Sequence, residues 1–173
     1  MGPLPPIAEL DALAPDAFAD ALAPLFEGAP AFLARLAAER PVGTWERLFV
    51  VARRVAQALP EANRIELVDA HPRLGASPAS LSALSHTEQA YDRRPSSAID
   101  AELERLNATY EAQFGFRYCV FVAGRSREAL AAQLATALGE GRSRDAELAR
   151  AVDAVIDIAQ DRWRRLQGDG GDA

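Results

Sequence analysis

One stretch near the C-terminus limits what this chain can fold into. Leu148, Val152, Val155, Ile158, Ala159, Trp163 and Leu166 recur at helical spacing. That stripe predicts one long helix over residues 145–166 with a broad apolar face, and other elements must cover a face of that width. The rest of the chain supplies helices to do so. Ala and Leu dominate, β-branched residues are sparse, and Pro and Gly fall between the periodic runs. The spacing predicts short helices over residues 7–13 and 16–23, ended or kinked by Pro24. Longer ones follow over 30–40, from an N-cap at Thr44 to 59, and over 61–69. A short helix is expected over 85–91, a long one over 99–114, and one capped by Ser126 to about 138. Phe116 to Val122 reads as an apolar run, extended and buried. The expected fold is all-α, a compact single-domain multi-helix bundle, with a lead-in at 1–6, the domain at 7–167 and a tail at 168–173.

The chain has 173 residues, 49% of them hydrophobic, enough for one domain with a sizeable core. A net charge of -6 and the lack of a basic stripe argue against a nucleic-acid partner. All 19 Lys+Arg residues are Arg, which excludes a lysine Schiff base and the decarboxylations that use one. Cys119 is the only cysteine and sits in an apolar run, so it reads as a core thiol. The two histidines and scattered acids show no metal-ligand spacing, and no metal is expected. No apolar run approaches the ~20 residues of a membrane span, and the N-terminus lacks a signal-peptide pattern; a reducing cytoplasm is the expected compartment.

Both histidines fall in two neighbouring turns, Val68-Asp69-Ala70-His71-Pro72 and Ser85-His86-Thr87-Glu88-Gln89. Pro72 restricts His71 to extended backbone, so the preceding helix should end near Ala70. His71 is either a satisfied, partly buried histidine or the best proton carrier near neutral pH. Ser85-x-x-Glu88 matches a capping box, and the same helix start could also hold an anion. Arg162 projects between Val155 and Ile158, inside the apolar stripe. A guanidinium there needs a carboxylate, carbonyls or a ligand. It is therefore a structural salt bridge to a buried acid, a side chain that snorkels out, or an anion clamp.

Several short motifs in sequence order resemble one family. Leu25-Phe26-Glu27-x-x-Pro30, Arg40-Pro41, Ala70-His71-Pro72-x-Leu74 and Ser85-x-x-Glu88-Gln89 are followed by Asn107-x-x-Tyr110, Phe114-Gly115-Phe116 and Ile158-x-x-x-Arg162. Together they resemble the 2-oxo-4-hydroxy-4-carboxy-5-ureidoimidazoline (OHCU) decarboxylases of urate breakdown, over roughly residues 7–167. The resemblance implies an all-α homodimer that needs no cofactor and releases carbon dioxide to give (S)-allantoin. It implies His71 and Glu88 as the catalytic pair. It implies substrate contacts from Ser85, Gln89 and Arg162, with Pro72, Phe116, Cys119 and Val120 lining the pocket. Departures fall in the loops: Gly28-Ala29-Pro30-Ala31 stands where the family has His-Ser-Pro-Trp, and Ala90 to Arg94 replace a small Gly-rich continuation.

Two rivals remain on the sequence. One is a divergent member acting on a related carboxylated ureide or imidazolone. The other is a non-enzymatic helical module, in which Ser85 and Glu88 cap a helix and Arg162 pairs with an acid. An enzyme needs the polar residues to face one cavity; a module does not.

Overall fold

The computed structural model describes residues 4–76, 82, 84, 85 and 97–168. Among the described residues every regular element is helical: α1 Ile7–Ala12, α2 Pro15–Leu22, a 3-10 turn Ala23–Phe26, α3 Pro30–Ala37, α4 Trp45–Ala58, α5 Glu61–Asp69, α6 Ser97–Phe114, α7 Arg127–Gly139 and α8 Arg144–Gly168. The all-α expectation is met, and the stripe that predicted the last helix explains the architecture. At 25 residues α8 is about 37 Å long. It packs against α4, α5 and the 3-10 turn, while α2 lies on α3 and α6 on α7. Leu148, Val152, Val155, Ile158 and Ala159 are buried in that seam. Near the end of the stripe Trp163 is half-buried and stacks on Trp45 with ring centroids 5.4 Å apart.

Element boundaries follow local chemistry. Thr44 caps α4 by accepting from the Arg47 N–H at 3.1 Å, and Ser126 caps α7 by accepting from the Ala129 N–H at 3.2 Å. α5 ends at Asp69, close to where Pro72 requires. The third helix stops at Ala37 rather than near Arg40, because the Arg40 guanidinium turns back to the carbonyls of Ala37 and Leu13. Pro24 does not simply end α2: the chain tightens into the 3-10 turn and leaves through Glu27, whose φ is +52°.

Residues 117–122 carry no regular secondary structure, yet Phe116, Tyr118, Cys119 and Val122 are buried as expected. Side chains from the helices hold this irregular segment in place. The Arg117 N–H donates to Asp69 Oδ1 at 2.8 Å, and its guanidinium donates to the carbonyls of Asp69 at 2.6 Å and His71 at 3.1 Å. Arg150 donates to the Cys119 carbonyl at 3.0 Å and lies over the Tyr118 ring at 5.0 Å. Of the short helix expected over 85–91, Leu84 and Ser85 are helical, and residues 86–91 lie outside the described residues.

Candidate active site

A cavity opens where the end of α5, residues 118–123 and the last turns of α8 meet. It holds about 500 Å³ of space free of atoms, part of it open to solvent. His71, Pro72, Ser85, Cys119, Val120 and Arg162 all line it. Six of the nine residues expected at the site are thus brought together. Glu88 and Gln89 lie outside the described residues. Phe116 is not on the cavity wall. It is buried beside Tyr110 and Phe114, with ring centroids 5.9 and 6.1 Å away, and serves as aromatic core.

His71 is buried at the cavity wall. Its ring is 4% exposed, and Nδ1 lies 3.4 Å from the Leu67 carbonyl. A carbonyl only accepts, so this contact favours the hydrogen on Nδ1 and a lone pair on Nε2. Among the described residues Nε2 is buried without a hydrogen-bond partner, on a ring that faces the cavity. Burial, and after it the Arg162 charge, lowers the imidazole pKa to about 4; Glu27 and the Leu67 carbonyl pull the other way. His71 is therefore neutral near pH 7.

Arg162 is 1% exposed and meets the demand that the apolar stripe placed on it. One terminal nitrogen donates to the carbonyls of Pro24 at 3.1 Å and Leu25 at 3.2 Å. These belong to the 3-10 turn, whose tight winding turns carbonyls out of the helical ladder. The other donates to Glu27 Oε1 at 2.8 Å and Ser85 Oγ at 2.9 Å. The structural salt bridge and the cavity-facing cation are thus one residue.

Ser85 does not cap its helix. Ser82 Oγ accepts the Ser85 N–H at 3.2 Å, three residues ahead, so the capping hydroxyl belongs to Ser82. The Ser85 hydroxyl is left to donate to Glu27 Oε1 at 2.5 Å and to accept from Arg162. Glu27 is the site residue that residue-by-residue reading missed. Two signals were available: Glu27 stands in the Leu25-Phe26-Glu27-x-x-Pro30 motif of the resemblance, and the buried arginine required an acid somewhere among the 25 Asp+Glu residues. Tyr118, within the run from Phe116 to Val120, also lines the cavity, and so does Arg165, which was not anticipated.

Two further motifs have structural explanations. Asn107 donates to the Leu74 carbonyl at 2.9 Å and pins the His-Pro turn to α6. Tyr110 donates to the fully buried Glu147 at 2.7 Å, and Glu147 also receives Arg150 at 2.7 Å and Arg142 at 3.0 Å. Through Arg150 this network reaches the Cys119 carbonyl on the cavity wall.

Fold and cavity together define a helical enzyme that presents a neutral histidine and an ion-paired arginine to a small polar molecule. The chain belongs to the OHCU decarboxylase family, whose sequence model matches residues 11–164, and it is a decarboxylase. A 2-oxo-4-hydroxy-4-carboxy-5-ureidoimidazoline decarboxylase of Haloferax volcanii is 28% identical over 155 residues, covering 88% of this chain and 90% of that protein. Two crystal structures share the fold. An OHCU decarboxylase in the presence of (S)-allantoin superposes with a TM-score of 0.68 at 21% identity, over 86% of this chain and 98% of that one. An (S)-allantoin synthase gives 0.66 at 20% identity over 95% of this chain, which spans only 54% of that longer protein.

Proposed function

We propose that this chain converts 2-oxo-4-hydroxy-4-carboxy-5-ureidoimidazoline to (S)-allantoin in urate degradation, at the cavity between His71 and Arg162. The observation that carries the reading is the buried Nε2 of His71, without a partner among the described residues, on a ring that faces the cavity and is neutral at working pH.

The chemistry fits that group. Breaking the carbon–carboxylate bond releases carbon dioxide and leaves its electron pair in the ring as an enolate. The substrate hydroxyl must lose its proton to become the product carbonyl, and one ring carbon must gain a proton on a single face. Neutral His71 accepts the hydroxyl proton at Nε2 and can return one. Arg162 and Ser85, fixed by their own hydrogen bonds, orient the substrate, and Gln89 and Glu88 join them on the strength of the family motif. Cys119 and Val120 wall the site and exclude water, and each well-placed donor adds on the order of 3 kcal/mol to stabilisation of the developing charge. By the same resemblance the enzyme is a cytoplasmic homodimer, which light scattering on the purified chain tests.

The experiment supplies fresh substrate from urate with urate oxidase and hydroxyisourate hydrolase, then follows the circular dichroism of the product. Rapid formation of one allantoin enantiomer, abolished by His71→Ala, is the expected result. Racemic allantoin at the spontaneous rate, from folded protein, would assign the cavity to another carboxylated ureide.

A further inference from the structure

Glu27 does more in this structure than neutralise a buried arginine. One of its oxygens, Oε1, accepts from Arg162 at 2.8 Å, Ser85 at 2.5 Å and Ser82 at 2.8 Å. It thereby joins the 3-10 turn, the Ser82–Ser85 turn and α8, three pieces of chain far apart in sequence. The side chain is 12% exposed, and its backbone is left-handed at φ +52°, a conformation that carries strain for a residue other than glycine. A surface ion pair would not require such a placement.

We infer that Glu27 is a positioning residue for the decarboxylation: its negative charge balances Arg162 so that His71 can take a proton beside a fixed cation. The inference rests on the proposed reaction and extends it to the charge of the site. When neutral His71 accepts the hydroxyl proton, an imidazolium forms in a buried cavity already holding a guanidinium. Two like charges there oppose the step, and a carboxylate joined to the guanidinium relieves that opposition. Among the described residues the other charged or titratable groups around the ring do not supply this balance. Arg165 is paired with Asp161 on α8 at 2.6 Å, and Arg117 is bound to the carbonyls of Asp69 and His71. The Asp69 carboxylate accepts the Arg117 backbone N–H, and Tyr118 and Cys119 are buried wall residues. The Glu27 carboxyl can carry the role. Burial alone would raise its pKa, but the hydrogen bond from Ser85, the Arg162 charge and the Ser82 hydroxyl outweigh burial and hold it below the usual carboxylate value.

Glu27→Gln keeps the shape and removes the charge. The expected result is a kcat lower by about tenfold or more, the equivalent of one pKa unit of lost imidazolium stabilisation. KM for the anionic substrate does not rise, because the variant makes the cavity more positive. The acid limb of kcat/KM and the His71 ring titration followed by NMR both move to lower pH. Glu27→Asp retains the charge and recovers part of the kcat. An unchanged kcat, or a raised KM with kcat intact, overturns the inference, as does an unmoved His71 titration. The titration needs no turnover, so it decides the inference even if wild-type protein fails to act on the proposed substrate. If Glu27→Gln does not fold, Arg162→Met and the double variant Glu27→Gln/Arg162→Met carry the test: the His71 ring titrates at lower pH in the double variant than in Arg162→Met, and equal titrations overturn the inference.

Discussion

At the scale of single residues, the site turns on one buried cation and one buried imidazole that constrain each other. Among the described residues Arg162 makes four hydrogen bonds to two pieces of chain, so its removal strands Glu27 in a mostly buried place. Breaking a buried pair by deleting one partner typically costs about 3–5 kcal/mol, and Arg162→Ala is expected to lose that much in urea unfolding as well as its activity. Arg162→Lys keeps a charge but not the planar fork, so it should hold at most part of this set and bind substrate more weakly, read as a higher KM. Arg162 and His71 were legible because each breaks a local rule: a guanidinium on an apolar stripe and a histidine locked before a proline. Glu27 was not, because an acid in a Glu-Gly-Ala-Pro break looks like any surface turn until the 3-10 geometry brings it under α8. The Ser85 hydroxyl was misread for a related reason. The capping-box spacing is satisfied in sequence, but Ser82 stands closer to the true helix start and takes the backbone N–H instead.

At the scale of elements, proline, glycine and capping hydroxyls made most boundaries legible. Apolar periodicity assigned the buried faces of α4, α6 and α8. What spacing could not tell was how an apolar run without periodicity would be held. Residues 117–122 are fixed by two arginines: Arg117 within the segment bonds the carbonyls of Asp69 and His71, and Arg150 on α8 bonds the Cys119 carbonyl. Glu147 is the centre of that support, receiving Tyr110, Arg150 and Arg142. Glu147→Leu is therefore expected to destabilise the fold by several kcal/mol, on the order of 3, by leaving Arg150 partly buried without its carboxylate. It should also raise KM, since Arg150 holds the Cys119 carbonyl at the cavity wall. Double-mutant analysis with Arg150→Met separates the two effects: most of the stability loss should be recovered when both charges go. A simple cap gives the contrasting case. Thr44→Ala should cost about 1 kcal/mol in denaturant unfolding with kcat and KM unchanged, because Thr44 holds one N–H far from the cavity.

At the scale of the whole molecule, the buried titratable groups set how stability depends on pH. His71 has a folded pKa of about 4, below its ordinary value of 6.5. Between those values the unfolded chain binds the proton and the folded chain does not. Stability from this group is therefore complete above 6.5 and is lost as pH falls through that window, by ~3 kcal/mol in all. Glu27 acts at the same edge but lower down, since its folded pKa lies below the ordinary carboxylate value of 4.5. It favours the folded state above 4.5, and that contribution fades on further acidification. Tyr110 works at the opposite edge. Burial first, then its bond to Glu147, pushes the phenol well above its usual 10.0. The unfolded chain sheds that proton above 10 while the folded one keeps it, so stability falls as pH rises past 10. The protein should thus be most stable on a plateau from about 6.5 to 10, with both edges set by residues in or beside the cavity. Thermal unfolding from pH 3.5 to 11 measures the curve, and His71→Asn identifies the acid edge. Its Tm should stay level between 6.5 and 4.5, where the wild-type Tm falls, and then drop below 4.5 with the carboxylates. Equal slopes for the two proteins in that upper window would place the histidine ring in water rather than against Arg162.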